Sequence, residues 1–261
     1  MLLSEITDII ESAAPLKWQE AWDNSGLQIG KGDAEIQSVL LTVDITEAVL
    51  EEALERGCNL VVSHHPLLFH GLKHITGQTP VERCVAFALL HGIAVYSTHT
   101  AMDSYLRGVS GKMAERCGLH NYRILCSSAD EQREGQEHGL GVIGSLPQPV
   151  MFTDWLSEVK KAFGAPMLSY VPPIYKEVQT IALCGGAGGE FIGEAIRQKA
   201  DVYVSADIRY HDMQAAVGRI GVVDMDHWVS EQFVREVLQE LLEPVVNTCI
   251  SKKDATPVKV M

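Results

Sequence analysis

The chain has 261 residues, enough to bury one large or two modest hydrophobic cores. Its net charge of −13, with no run of Lys or Arg, argues against non-specific nucleic-acid binding, which depends on cationic contacts with phosphates. No apolar stretch approaches the roughly 18 to 20 residues of a membrane span. The six cysteines show no Cys-x-x-Cys spacing, so we expect reduced thiols in a cytoplasmic protein.

The first half of the chain predicts alternating strands and helices. The apolar residues of the N-terminal segment recur at helical spacing, and the segment carries acidic residues where a signal peptide would carry basic ones. This pattern predicts the first helix of the fold. Residues 22–30 predict a turn that leads into a short strand, and residues 39–43 a buried strand. Asp44 and Glu47 have the spacing of a capping box for a helix that ends near Gly57. Strands over 60–64 and 93–97 alternate with helices over 81–90 and 109–117.

The second half repeats this alternation after a polar segment. Residues 127–137 are nearly devoid of apolar side chains and predict an exposed connector. Strands are predicted over 139–146, 178–183 and 245–250, and a helix over 231–242. We therefore expect a first α/β lobe over 1–126 and a second over 138–261, with the C-terminal segment as a candidate to pack on the first lobe.

The two halves also align with each other. Residues 38–54 lie over 180–196 without a gap, and residues 59–63 lie over 201–205. After a shorter spacer, residues 93–96 match 221–224, which places His99 opposite His227 and Asp103 opposite Glu231. Any two strand-helix-strand units align tolerably, but that does not explain the paired His and acid. We therefore predict two similar three-layer α/β/α lobes from an internal duplication, with a metal site in the cleft between them.

Histidines and acids follow several predicted strands. His227 and Glu231 are four residues apart, so a helix would place them on one face, and the His99–Asp103 pair has the same spacing. His64 and His65 precede a proline that bends the chain, which favours two imidazoles serving two adjacent ions. A lone histidine is more often structural than a ligand, but several at strand ends favour a metal site.

Imidazoles and carboxylates together suit Zn²⁺, Fe²⁺, Mn²⁺ or Co²⁺. Two such ions about 3.5 to 4 Å apart would lower the pKa of a shared water and supply a hydroxide nucleophile. That chemistry is typical of hydrolases.

The sequence resembles the dinuclear-metal family of GTP cyclohydrolase 1 type 2 homologs, also called NGG-one-interacting-factor-three-like proteins. The resemblance covers essentially the whole chain. It is carried by residues 22–30, 63–69, 97–103, 185–189 and 201–207 and by the segment around His227 and Glu231.

The resemblance implies a site and an assembly. The family's metal ligands fall on His64, His65, Asp103, His227 and Glu231, with Asp103 or Glu231 bridging two divalent ions. It leaves His99 as a residue that supports the ligands or transfers protons, and it implies a ring-like homohexamer. One departure is Asp226, which stands where the family usually has Gly and puts the local backbone conformation in question.

Two functions are consistent with these features. The first is a metal-dependent hydrolase of a small nucleotide-like anion, for which the family name suggests GTP and opening of its imidazole ring. The second is a non-catalytic metal-binding or adaptor protein. A triphosphate bound to so acidic a chain would need the metals and scattered cations such as Lys73, Arg107 or Arg209.

Some residues allow two interpretations. The glycines of 185–189 could cradle a phosphate, but a tight turn beside the metal site is at least as consistent with the pattern. Asp207 and His211 could line the pocket or serve structure. Trp18 and Trp22 are interpreted as core or interface aromatics rather than as a platform for stacking bases.

Overall fold

The computed structural model describes residues 1–128 and 137–260. The elements up to residue 116 alternate as the sequence predicts. They are α1 (Leu3–Ala13), a 3₁₀ turn (Leu16–Trp18), β1 (Gly26–Ile29), β2 (Ser38–Thr42), α2 (Glu47–Glu55), β3 (Leu60–Ser63), α3 (Pro80–His91), β4 (Ala94–Ser97), α4 (His99–Asp103) and α5 (Val109–Arg116).

The remaining elements include two long strands. They are β5 (His120–Ser127), β6 (Gly139–Met151), α6 (Phe152–Ala162), β7 (Ser169–Val171), β8 (Glu177–Ala187), a 3₁₀ turn (Gly189–Phe191), α7 (Ile192–Arg197), β9 (Val202–Ala206), α8 (Tyr210–Ala216), β10 (Gly221–Met225), α9 (His227–Glu231), α10 (Val234–Leu242) and β11 (Asn247–Ile250). None of the helices within the described ranges has the length and apolar character needed to cross a bilayer.

The chain divides into two compact units whose boundaries differ from those predicted. Unit 1 comprises residues 1–102 and 234–255, and unit 2 comprises residues 103–233 and the tail from residue 256. Residues 103–126 join unit 2 because β5 pairs with β6, and β11 joins unit 1 because it pairs with β2. The predicted connector at 127–137 lies mostly outside the described residues; Ser127 ends β5.

Unit 1 is a three-layer α/β/α unit around a five-stranded sheet. The strand order is β1-β4-β3-β2-β11, with parallel pairing throughout except between β1 and β4. Because β2, β3 and β4 are buried on both faces, they need helices on both sides of the sheet. On one face Leu40, Val61 and Val95 pack with side chains of α2 and α3. On the other face α10 packs against β2 and β11, and α1 packs against α10.

Unit 2 has a six-stranded sheet with the order β5-β6-β8-β9-β10-β7. Its parallel part, β8-β9-β10, is flanked by antiparallel neighbours on both sides. Ala182, Tyr203 and Val222 form a core with side chains of α7 and α8 on one face. α5 and α9 pack against β8, which gives unit 2 the same three layers.

Strand register supports the duplication. Val39 pairs with Leu60 in unit 1, and Ile181 pairs with Val202 in unit 2, as the ungapped alignment of the two halves requires. The third strand differs by one position, because Leu60 pairs with Ala94 whereas Val202 pairs with Gly221. Counted from these paired residues, His99 lies five residues after Ala94, whereas His227 lies six residues after Gly221, so unit 2 has one more residue before its histidine.

Two local predictions were wrong. The N-cap of α2 is Thr46, whose hydroxyl accepts a hydrogen bond from Val49 N, so Asp44 does not cap this helix. The helix predicted over 231–242 is two helices, since α9 ends at Glu231 and α10 begins at Val234. Phe233, between them, packs against Phe163 at 5.2 Å between ring centroids.

Candidate metal centre

Three imidazoles of unit 1 cluster at the carboxyl ends of β3 and β4. His64 and His65 follow β3 directly, and His99 begins α4. Backbone hydrogen bonds continue the strand pairing, because Thr98 N donates to Ser63 O and His99 N donates to His64 O, both at 2.9 Å. The ring centroids of His64 and His65 are 5.0 Å apart, and His99 is 5.6 Å from each. Adjacent parallel strands thus bring together histidines that are 34 and 35 residues apart in sequence.

Aspartates orient two of these imidazoles from the Nδ1 side. Asp44 Oδ1 lies 2.8 Å from His65 Nδ1, and Asp23 Oδ1 lies 2.6 Å from His99 Nδ1. A carboxylate on Nδ1 fixes the ring and turns Nε2 away from it, an arrangement common among metal-binding histidines. His64 is fully buried, and its ligand atom lies within 4.8 Å of that of His65.

Asp23 is the anchor of this cluster. Its carboxylate is fully buried and accepts hydrogen bonds from the backbone N and hydroxyl of Thr100 and from Ser25 Oγ. Burial opposes ionisation, but the hydrogen bonds from His99, Thr100 and Ser25 outweigh it and hold the pKa of Asp23 well below its usual range. Asp23 is therefore ionised near neutral pH and fixes the start of α4. His99 there has a φ of 25°, a conformation that L residues adopt at an energetic cost.

Unit 2 carries a second cluster, richer in carboxylates. In α9, His227 Nε2 lies 3.2 Å from Glu231 Oε2, one helical turn away. His227 Nδ1 lies 2.7 Å from Asp207 Oδ2, so this imidazole also has an aspartate on its Nδ1 side. Asp207 follows β9 with a left-handed φ of 53°. Glu231 is buried, and Asp103, which ends α4, is half-buried.

Gly186 makes room for the Glu231 carboxylate. A Cβ at this position would overlap Glu231 Oε1, and the φ of 65° favours glycine independently. Gly186 N donates to Ser230 Oγ at 2.9 Å, while its carbonyl accepts from Ser205 Oγ at 3.0 Å. Because the amide is already engaged within the protein, close packing of β8 against α9 explains this glycine better than a phosphate cradle does.

A cavity of about 220 Å³ lies beside His227 within unit 2. Its walls combine three aspartates with apolar side chains that include Met167, Met225, Val258 and Val260. The acids are Asp207, Asp224 and Asp226. Burial raises the pKa of Asp224, although the hydrogen bond from Ile208 N opposes that rise. This arrangement gives His227 an open, acidic surrounding.

A family model described as Duf34/NIF3 (NGG1p interacting factor 3) matches residues 1–257 of the chain. The chain belongs to the Duf34/NIF3 family. A Clostridium perfringens protein named GTP cyclohydrolase 1 type 2 homolog is 31% identical over 263 residues, which cover 98% of each chain. The protein NIF3 homolog of Schizosaccharomyces pombe is 29% identical over 99% of this chain and 98% of its own.

Solved structures show the same fold. The crystal structure of a Bacillus cereus protein related to NIF3 superposes with a TM-score of 0.89 at 24% identity, covering 100% of this chain and 99% of that one. The two α/β/α units are therefore the Duf34/NIF3 fold.

Asp226, which stands where the Duf34/NIF3 family usually has Gly, fits its position without backbone strain. Its φ of −58° is open to any L residue, so the backbone before His227 does not require glycine. The Asp226 carboxylate caps α9 by accepting from Val229 N at 3.1 Å, and it also accepts from Thr256 Oγ1 at 2.9 Å. The aspartate thus positions the helix that carries His227 and Glu231.

Two aspartates beside the histidine cluster of unit 1 were predicted from the sequence only for other roles. Asp23 was assigned to a turn and Asp44 to a helix cap, yet both orient histidines. For Asp44 a signal exists, because it follows β2, the strand next to β3 and its histidines. Asp23 is 76 residues from His99 and lies in an irregular segment, so no spacing reveals their contact.

The structure distinguishes the remaining residues for which the sequence allowed two interpretations. Asp207 contacts His227, but His211 lies exposed on α8, with Nδ1 3.4 Å from Gln214 Oε1. Trp18 is buried, whereas Trp22 is 59% exposed and so is not a core residue.

Proposed function

We propose that the chain is a metal-dependent hydrolase of a small nucleotide-like anion. The proposed ligands of a pair of divalent ions are His64, His65, Asp103, His227 and Glu231. The observation that supports this best is that His65 and His227, two of these proposed ligands, each have an aspartate carboxylate within 2.8 Å of Nδ1. Such carboxylates orient imidazoles for metal binding and raise their basicity.

The residues present fit such ions by their chemistry. Imidazole nitrogens and carboxylate oxygens suit Zn²⁺, Fe²⁺, Mn²⁺ or Co²⁺. When bound, the ions would act as Lewis acids and would lower the pKa of a coordinated water to a value near neutrality. Glu231 brings a buried negative charge that a cation would compensate.

His99 is proposed as the proton-transfer residue. Asp23 holds its Nδ1 side, so Nε2 is the nitrogen available to accept or deliver a proton. The His99 ring lies 5.6 Å from the rings of His64 and His65, which supports a role in accepting a proton from a water or delivering one to a leaving group near the proposed ions. His99 would act without binding an ion.

The substrate proposal starts from the relatives' name, and GTP is its first candidate. The net charge of −13 opposes a free triphosphate, so the ions would carry most of the attraction. Of the three cations considered from sequence, Arg209 is engaged by Asp212 at 2.8 Å. Lys73 and Arg107 are exposed and remain candidates for phosphate contacts. We propose a homohexameric assembly on the family resemblance, which light scattering would test.

The test is elemental analysis of chains prepared without chelators. We expect about two transition-metal ions per wild-type chain and less in His64→Ala and Glu231→Ala. His211→Ala is the matched control, since it removes an exposed histidine outside both clusters. Metal-loaded protein is then incubated with GTP and with a panel of phosphoesters and amides, and turnover of each substrate is measured. Turnover lost in Glu231→Gln supports the hydrolase; metal binding without turnover of any substrate supports the non-catalytic alternative; and absence of metal overturns both.

A further inference from the structure

Two large aromatic rings of unit 1 face solvent beside the imidazole cluster. Trp22 is 59% exposed and Phe69 is 42% exposed, with their ring centroids 5.9 Å apart. The indole lies 5.8 Å from the His99 ring and the phenyl ring 6.0 Å, both nearly edge-on. Exposed aromatic rings are unfavourable in water, and a group of them is often found at a binding site.

The backbone beneath these rings is held in place. Asn24 Nδ2 donates to Leu68 O at 2.6 Å, and Leu68 N donates to Gln28 Oε1 at 2.8 Å. These bonds join the segment that carries Trp22 to the loop that carries Phe69. Next to Trp22, the buried Asp23 is bonded to His99 and Thr100. The two rings are thus exposed on an ordered base, which reduces the entropy lost when a ligand binds.

We infer that Trp22 and Phe69 form a stacking platform for a planar heteroaromatic ring of the substrate, which they place beside His99. This inference rests on the proposed function and deepens it, because it commits the substrate to an aromatic heterocycle.

Charge favours this kind of recognition. A chain with a net charge of −13 repels anions, but stacking on a neutral ring is not opposed by that charge. The face of an indole can stack on the π-face of a planar heterocycle such as a nucleobase, and stacking tolerates differences in ring substituents. The platform would therefore bind the ring, and the proposed metal ligands would hold the ions that supply the hydrolytic chemistry.

The test measures binding of probes with and without a ring. The probes are GTP, guanosine and adenosine, with inorganic triphosphate as the ringless probe, and dissociation constants are measured by calorimetry on metal-analysed, full-length protein. We expect Trp22→Ala to weaken GTP and nucleoside binding about ten-fold, and Trp22→Phe to retain most of it. Triphosphate binding and metal content should not change. Tyr175→Ala, which removes a 71% exposed ring of unit 2, is the matched control.

Any of three results would overturn the inference. In the first, the wild-type protein binds none of the ring-containing probes. In the second, Trp22→Ala protein binds those probes as tightly as the wild type does, and in the third it loses affinity for triphosphate to the same extent as for the nucleosides. Altered assembly of Trp22→Ala with unchanged nucleoside binding would instead assign the rings to a subunit interface. The two proposals can fail separately. If the chain holds two ions but binds none of the ring-containing probes, only the platform is ruled out. If it binds these probes but holds no metal, only the metal centre is ruled out.

Discussion

The strand ends of the two units are equivalent in position but differ in part of their chemistry. His65 follows β3 in unit 1, and Asp207 follows β9 at the aligned position of unit 2. His99 and His227 both have an aspartate at Nδ1, but Asp23 comes from outside the repeated segment and Asp207 from inside it. The repeated scaffold thus fixes where side chains stand, while unit 1 supplies mostly imidazoles and unit 2 mostly carboxylates.

A second difference sits at the end of the first repeated strand. Asp44 of unit 1 aligns with Gly186 of unit 2. Asp44 orients His65, whereas Gly186 leaves space for the carboxylate of Glu231. One position therefore provides a side chain in one unit and makes room for one in the other.

Among the substitutions that test this difference, Gly186→Ala should have the largest effect on stability and metal content. The methyl group would overlap the Glu231 carboxylate, and an L side chain at a φ of 65° is strained. We expect a loss of about 3 to 4 kcal/mol in the free energy of unfolding from strain and overpacking together, and a metal content as low as that of Glu231→Ala. Urea denaturation and elemental analysis measure the two effects.

Gly164→Ala is the control for backbone strain alone. Gly164 has a φ of 61°, and an added Cβ would have no neighbour within 4 Å. Equal losses of stability in the two variants would show that the Glu231 contact contributes nothing.

A further comparison concerns Glu52 in α2 and its aligned partner, Glu194 in α7. Glu52 accepts hydrogen bonds from Ser251 Oγ, Lys252 N and Lys253 N, which fix the segment after β11. Burial opposes its ionisation, but these bonds together with the one from Arg56 lower the pKa of Glu52 from 4.5 to about 2. Glu194 interacts only locally, with Arg197 and Gln198, among the hydrogen bonds of the described residues.

Glu52→Gln should therefore destabilise the chain more than Glu194→Gln. Since the folded pKa of Glu52 lies below the unfolded one, its contribution is complete above about pH 4.5 and is lost as pH falls toward about 2. The shift sets an upper limit of about 3 kcal/mol, and we expect about 2 kcal/mol for Glu52→Gln at pH 7. Denaturation between pH 2 and 7 should show a shallower acid dependence in this variant. An acid dependence as steep as that of the wild type would contradict the assignment.

The effects expected where aspartates orient histidines are on metal affinity rather than on the free energy of unfolding. Asp44→Asn should weaken metal binding through His65, and Asp207→Asn through His227, each about 10- to 100-fold. Competition with a chromogenic chelator measures both affinities. Asp154→Asn, on the outer helix α6, is the control and should bind metal normally. Unchanged affinity in both site variants would show that these carboxylates serve structure alone.

The sequence predicted what depends on short spacing. The ungapped alignment of the two halves agrees with the equivalent registers of β2 with β3 and of β8 with β9, and the four-residue spacing placed His227 and Glu231 together. The sequence did not predict specific contacts between distant segments, although the C-terminal segment was a candidate to pack on the first lobe. Nothing local marks β11 as the neighbour of β2, and nothing local links Asp23 to His99. The extra residue before His227 was also hidden, since an alignment through the histidines absorbs it.

The return of β11 to the sheet of unit 1 has a consequence for biosynthesis. Its partner β2 leaves the ribosome some 200 residues earlier, because Asn247 pairs with Ser38. While unit 2 is being translated, the β2 edge waits without its parallel neighbour, and unpaired edges favour wrong associations. Correct folding of unit 1 is thus timed by the synthesis of unit 2.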